Sequence, residues 1–273
     1  MAPDNKAITP ECTANYAALS LPRYTSYPTA NHFKNSIGAA DKAKWLANID
    51  PKKPVSVYIH IPFCDRLCWF CGCHTKQVSR YHPIKTYVDT VIKEIEHTRK
   101  RLPATLDIAH LHLGGGSPSL LQPDDCTKLR EALESCFQFT KETQISIEID
   151  PKDINYNMAD SMRAIGVTRA SLGVQDFSEK VQAAINRPQS FADTAAVCEI
   201  MREAGARAIN IDVLYGLPHQ TASSVAQTIL RVSELNPDRI AMFGYAHVPW
   251  IKKHQRMIDE KTLPDIAARL SQT

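Results

Sequence analysis

The chain has 273 residues, 44% hydrophobic and 22% charged, enough apolar side chain to fill the core of one large domain. Its formal net charge of +3 comes without a basic run, which argues against a nucleic-acid partner, and no apolar stretch is long enough to span a bilayer. The polar start MAPDNKAITPEC does not read as a signal peptide, and eight cysteines in such a chain favour metal ligation over disulfides, so a reducing cytoplasm is expected.

In chain order, residues 1–54 read as a partly irregular N-terminal arm, because Pro22–Ala30 (PRYTSYPTA) is rich in proline and tyrosine. Arg23, Tyr24, Thr25 and Tyr27 of this arm have two readings, packing on the domain or covering its mouth against an anionic substrate. Six apolar strands are predicted over Val55–Pro62, Ala109–Gly114, Ile145–Asp150, Arg169–Val174, Ala208–Leu214 and Arg239–Val248. Helical spacing separates them. Ile84, Tyr87, Val88, Val91, Ile92 and Ile95 form one stripe, and Cys126, Leu129 and Leu133 form another, with Asp124 as its expected cap. Ala195–Ala204 is stopped by Gly205, and Val225–Leu235 ends before Asn236-Pro237. Trp250–Met257 reads as helical, and a last helix starts near Pro264. Strand–helix repetition demands parallel strands and right-handed crossovers. The expectation is an α/β fold, a partial (β/α)6 barrel over 55–273 rather than an open doubly wound sheet, with its chemistry at the C-terminal strand ends.

The polar motifs fall at those ends. After the first strand come Cys64, Cys68 and Cys71, in a C-x3-C-x2-C array followed by Cys73. Three thiolates on one loop can hold three irons of a [4Fe–4S] cluster and leave the fourth open. A zinc site that also uses Cys73 and His74 is the plainer alternative, but structural zinc normally joins two separated ligand pairs. The second strand ends in Gly114-Gly115-Gly116-Ser117-Pro118, where the backbone can approach a ligand closely. Glu148 is an acid inside an apolar strand and needs a polar partner, either a ligand or a local basic residue. Gln175 and Asp212 end two further strands, and Arg187 and Ala246 lie in segments that reach the same mouth. Cys126, Cys136 and Cys198 sit on helical patterns and read as small core residues.

The cysteine array followed by the glycine turn resembles the radical S-adenosylmethionine (SAM) enzymes. Taken together, YIHIPFCDRLCWFCGCH, GGGSP, ISIEIDP, SLGVQDF, NIDVLYGLPHQT and LNPDRIAMFGYAHVP resemble the oxygen-independent coproporphyrinogen III oxidases of that superfamily, from about Leu21 onward. Cys73 in C-G-C-H and the Pro22–Ala30 arm set this family apart from the related haem chaperones.

The resemblance implies cluster ligation by Cys64, Cys68 and Cys71, and contact of Tyr58, Gly115 and Glu148 with SAM on the open iron. Phe70, Gly116, Ser117, Gln175, Arg187, Asp212 and Ala246 are implied to touch a second SAM, with Ser117 standing where the family usually has threonine. It also implies oxidative decarboxylation of two propionates of coproporphyrinogen III to vinyl groups, giving protoporphyrinogen IX in anaerobic haem biosynthesis. A separate electron donor and acceptor are required, and a monomer is expected. Family members continue past Thr273 into a mostly helical C-terminal domain that this sequence lacks, so an inactive fragment is one alternative. The others are a haem chaperone or haem-binding protein on the same barrel, a zinc-stabilised domain without activity, and a radical SAM enzyme that opens or methylates porphyrins.

Overall fold

The structure is a computed structural model, and it describes residues 29–153 and 157–273. Arg23, Tyr24, Thr25 and Tyr27 lie outside the described residues.

Six long strands form the frame: β1 (Val55–Ile61), β2 (Leu106–Gly115), β3 (Gln144–Ile149), β4 (Arg169–Gln175), β5 (Ala208–Tyr215) and β6 (Arg239–Gly244). All pair in parallel, and they lie side by side in sequence order. A doubly wound sheet would reverse direction at a switch point, and this one does not, so that alternative is excluded. β1 and β6 are the two edges and do not pair, leaving the barrel open.

Helices fill the crossovers. α1 (Ala39–Ala47) precedes β1, α2 (His82–Arg99) joins β1 to β2, and α3 (Pro123–Glu134) and α4 (Met158–Ile165) follow. Then come α5 (Glu179–Ala184), α6 (Phe191–Glu203), α7 (Ala222–Glu234) and a final α8 (Ile266–Ser271). Right-handed crossovers that always advance in one direction place the helices on one sheet face. Strand alternation shows the result. Ile59 and Ile61, Leu111 and Leu113, Ile145 to Ile149 at every second position, Leu172 and Val174, and Ile211 and Val213 are buried in one core. Cys126, Cys136 and Cys198 belong to it, as expected.

The alternate strand residues form the open face, and they are polar: Tyr58 and His60, His112, Ser146 and Glu148, Ser171, Asn210 and Asp212, and Arg239. Polar side chains survive there because they bond to each other across the strands. His112 Nδ1 lies 2.7 Å from Ser146 Oγ, Asn210 Nδ2 donates to Ser171 Oγ at 2.7 Å, and Arg239 Nε donates to Asn210 Oδ1 at 2.7 Å.

Several boundaries differ from expectation. Asp124 is not the cap of α3. Gln122 takes that place with Pro123 at the first helical position, and Asp124 and Asp125 sit in the first turn, where the helix dipole favours them. α6 and α7 start earlier than predicted, because Ser190 and Thr221 each accept from a backbone N–H three residues on. The sixth strand stops at Gly244, and Trp250–Met257 is not an α-helix but ends in one 3-10 turn, Lys253–Met257. There the Gln255 side chain accepts from Val248 N at 2.6 Å and donates to Phe70 O at 2.9 Å, tying the segment to the cysteine loop. The expected last helix is α8, capped by Asp265, which accepts from Ala268 N. α1 was not anticipated within the arm.

Candidate functional site

The cysteine loop leaves β1 and is fastened at both ends. Phe63–Cys64 pairs with Lys76–Gln77 in a short parallel ladder, with Lys76 N donating to Pro62 O at 2.7 Å and Val78 N to Cys64 O at 2.9 Å. Its root is fixed to the glycine turn at the end of β2: Gly116 N donates to Ile61 O at 2.8 Å, and Ser117 N to Phe63 O at 2.7 Å. A Cβ on Gly116 would lie 2.8 Å from the Phe63 nitrogen and closer still to its oxygen, so this approach requires glycine. Gly115 adopts φ 110°, the left-handed side that side-chain-bearing residues avoid.

The far side of the loop is held by two distant segments. Trp69 N donates to Ile185 O at 2.9 Å, and Asn186 Nδ2 to Leu67 O at 2.9 Å. Gln255 Nε2 donates to Phe70 O at 2.9 Å, and His254 Nε2 to Cys71 O at 2.7 Å. These bonds fix the path of the loop between Leu67 and Cys71.

Its thiols differ. Burial pushes Cys64 up to about 11, against a hydrogen bond from Ser117. Burial also raises Cys68, opposed by the charge of Arg187, whose Nη1 donates to Cys68 Sγ at 3.3 Å. Cys71 is brought down to about 6, first by the hydrogen bond from the Cys73 thiol and then, against burial, by the Cys73 N–H at 3.3 Å. Cys73 is correspondingly raised, because it acts as the donor of that pair.

Donor geometry tests what the thiols can hold. One tetrahedral ion with sulfur ligands at about 2.3 Å needs its sulfurs about 4 Å apart. Among the described residues, Asp65, Asp150 and Asp153 form the one set of three metal-capable groups within 4.8 Å of one another, and no three cysteines do. Three soft thiol donors on one loop that do not converge on a single point are compatible with a multi-iron cluster. Asp150 in this set already faces two cations, Arg187 Nη1 at 2.9 Å and Arg66 Nη2 at 3.9 Å from its Oδ2, and Asp65 lies 3.8 Å from Arg66.

The other expected site residues fall into two groups. On β1 to β3, Tyr58 stacks on His112 with ring centroids 5.6 Å apart, and its hydroxyl lies 2.8 Å from His60 Nδ1. Glu148 Oε2 accepts from Gly115 N at 2.8 Å, and Oε1 lies 3.3 Å from His112 Nε2. Burial alone would raise the Glu148 carboxyl. The His112 and Gly115 hydrogen bonds outweigh it and hold the group below its ordinary value, so it is anionic at neutral pH. Tyr58, Gly115 and Glu148 are thus brought together.

On β4 and β5, Gln175 adopts φ 69° at a break in the register with β5, an uncommon conformation for a residue with a side chain. Its amide and the Arg187 guanidinium both crowd Gly173. Arg187 is 7% exposed, with Nε donating to Gly173 O at 3.2 Å, so its fork is shared among Gly173, Asp150 and Cys68. Asp212 stands opposite Gly173 but bonds to Ser171 at 3.0 Å and Asn210 at 2.7 Å; burial raises its carboxyl against these bonds. Phe70 and Ala246 meet through Gln255, which donates to both carbonyls.

His60, His112 and Gln255 were not singled out from sequence. For the histidines, alternation in VSVYIHI and HLHLGG places them on the face of Tyr58 and Gly114 and was the available signal. His247 is engaged by Tyr245 and Glu260, at 2.7 and 3.0 Å.

Comparison with known proteins agrees with this geometry. Residues 58–232 match the radical SAM superfamily. The chain is similar to the oxygen-independent coproporphyrinogen III oxidase of Bradyrhizobium diazoefficiens, 45% identical over 96% of this chain and 58% of that protein. It is similar to the protein of the same name from Escherichia coli, 43% identical over 92% of this chain and 54% of that one. A solved structure of the Escherichia coli coproporphyrinogen III oxidase superposes with a TM-score of 0.85 at 42% identity, covering 91% of this chain and 57% of the other. The chain therefore spans little more than half the length of the relatives it matches. With its open parallel sheet, its three-cysteine loop and this match, the chain belongs to the radical SAM superfamily.

Proposed function

We propose that the chain forms the cofactor-binding part of an oxygen-independent coproporphyrinogen III oxidase, which converts two propionates of coproporphyrinogen III to vinyl groups. The observation that carries this reading is the junction of the cysteine loop with the glycine turn. The backbone of Gly116 and Ser117 is hydrogen-bonded to that of Ile61 and Phe63, which sets the Cys64 end of the loop beside the ligand-approach glycines. The whole-protein activity is taken from relatives that share 45% and 43% identity.

Cys64, Cys68 and Cys71 would hold the [4Fe–4S] cluster, and Tyr58, Gly115 and Glu148 would contact SAM. Phe70, Gly116, Ser117, Gln175, Arg187, Asp212 and Ala246 would line the position of a second SAM. When bound, the cluster and SAM supply the reducing electron and the radical chemistry. The chain's own part is positioning. Glu148 presents a carboxylate oriented by Gly115 and His112, suited to an ammonium or a ribose hydroxyl. Arg187 sets its charge against Cys68 and favours the thiolate that ligation needs. The reading includes a cytoplasmic monomer served by a separate electron donor and acceptor, with residues 1–54 as an arm before the barrel. Among the described residues no helix is long and apolar enough to cross a membrane.

The test is electron paramagnetic resonance of the anaerobically reconstituted, dithionite-reduced protein, with and without SAM. An iron–sulfur signal that SAM perturbs, lost in Cys68→Ala, supports the reading. Purification with zinc and no iron would overturn it. Product mass with coproporphyrinogen III, measured on the full-length protein, decides the substrate.

A further inference from the structure

Gln175 owes its unusual backbone to a turn tighter than a β-turn. Asp176 N donates to Val174 O at 2.9 Å, closing a three-residue γ-turn around Gln175. With φ 69° at its centre, this is the rare and strained form of that turn. A residue with a side chain stays there only when its surroundings hold it. The turn also breaks the ladder to β5, where Gly173 faces Asp212 and Gln175 faces Val213.

The holding groups are three buried glutamines and one buried acid, and the proposed chemistry uses none of them. Gln189 Nε2 donates to Val174 O at 3.3 Å, and Gln182 Nε2 to Asp176 O at 2.9 Å. The Asp176 carboxyl group is fully buried. Its Oδ1 accepts from Ser178 N at 2.6 Å, and its Oδ2 from Gln220 Nε2 at 2.6 Å. Gln220 uses its whole amide, because Nε2 also donates to Leu214 O at 2.8 Å and Oε1 accepts from Leu217 N at 2.7 Å. Behind it, Gln272 Nε2 donates to Gln220 O at 3.1 Å.

We propose that Gln220 is a positioning residue: through Asp176 it holds the strained turn that presents Gln175 to the second SAM, a role that rests on the site assignment above. A glutamine that only satisfied the loop after β5 would need one donor, for Leu214 O, and one acceptor, for Leu217 N. Gln220 directs its second N–H to Asp176, the residue whose own N–H closes the γ-turn. One side chain thereby fixes the turn after β4 against the β5 carbonyl two residues beyond Asp212, so that Gln175 and Asp212 keep one mutual geometry. Fixed geometry of this kind is what a binding constellation requires of its supporting residues.

The test compares glycine with alanine at position 175, since both remove the amide and only glycine accepts a positive φ without cost. With Gln220 in place, Gln175→Gly should melt about 2–4 °C above Gln175→Ala. Adding Gln220→Met keeps the side-chain volume and removes its hydrogen bonds. The turn can then relax to negative φ, and the gap should vanish. If Gln220→Met does not fold, Gln182→Met, which removes one bond, should narrow the gap. No gap with Gln220 in place, or a gap that persists in full in the methionine variant, would overturn the proposal. In reconstituted protein with Gln175 intact, Gln220→Met should keep the iron signal that SAM perturbs and lose one of two SAM equivalents in equilibrium dialysis. Two equivalents held at parent affinity would also overturn it. A parent that binds only one SAM overturns the second-site assignment instead, and the melting gap is scored independently of it.

Discussion

Gln255 holds Phe70 in place across 185 positions of sequence: its Nε2 donates to the Phe70 carbonyl at 2.9 Å, while its Oε1 accepts from Val248 N at 2.6 Å. The Gln255 side chain is 1% exposed, and both bonds are partly shielded from water. Gln255→Ala leaves a half-buried carbonyl and a half-buried N–H without their partner, each costing up to about 1 kcal/mol. We expect a loss of about 1–2 kcal/mol in chemical denaturation and lower iron uptake on reconstitution. A variant with parent stability and parent iron content would show that the loop is held by its other fastenings alone.

Two glycines near the cysteines should respond in opposite ways to the same substitution. Gly116→Ala drives a methyl into the Phe63 backbone, which cannot yield without unseating the cysteine loop. Gly72, between Cys71 and Cys73, has nothing within 4 Å of where a Cβ would stand. Gly116→Ala should cost about 1–3 kcal/mol or more and abolish cluster assembly. Gly72→Ala should leave melting temperature and iron content near those of the parent. Equal behaviour of the two would remove the packing explanation.

How much of this was readable beforehand follows from the kind of signal each part left. The strands were legible because their alternation is local, as in VSVYIHI and NIDVLY, although the ends of the second and sixth were not. The cysteines and Gly115 were legible because their chemistry is rare at that spacing. Gln255 was not, since an isolated glutamine carries no pattern and its partners are 7 and 185 residues away. The turn at Lys253–Met257 was misread because apolar spacing cannot register the long-range bonds by which His254 and Gln255 tie the segment to the cysteine loop. The starts of α6 and α7 were missed although Ser190 and Thr221 were visible caps.

The carboxylate of Glu148 should govern SAM affinity rather than the cluster. Glu148→Gln keeps the side chain's shape and an acceptor for Gly115 N but removes the charge that His112 and Gly115 stabilise. Charged hydrogen bonds contribute about 1.5–3 kcal/mol, so SAM should bind about tenfold or more weakly in titration calorimetry, with iron content unchanged. Loss of iron in this variant would assign Glu148 to the loop's stability instead.

Asp153 gives the fold a pH dependence of unusual sign. Burial, and then the neighbouring Asp150 charge, push its carboxyl up to about 7 from 3.8, despite the hydroxyl that Ser119 donates at 2.7 Å. The folded state therefore keeps a proton that the unfolded chain has already released at intermediate pH. Asp153's contribution is complete below pH about 4, where both states are protonated, and it is lost as pH rises toward about 7, where the buried group must ionise. Asp153→Asn keeps an acceptor for Ser119 and removes the charge. At pH about 8 the variant should be more stable than the parent by about 1–3 kcal/mol, and the gap should close as pH falls toward about 4. Denaturant midpoints across that range check it, and a difference that does not vary with pH would mean that Asp153 acts through packing and not through its proton.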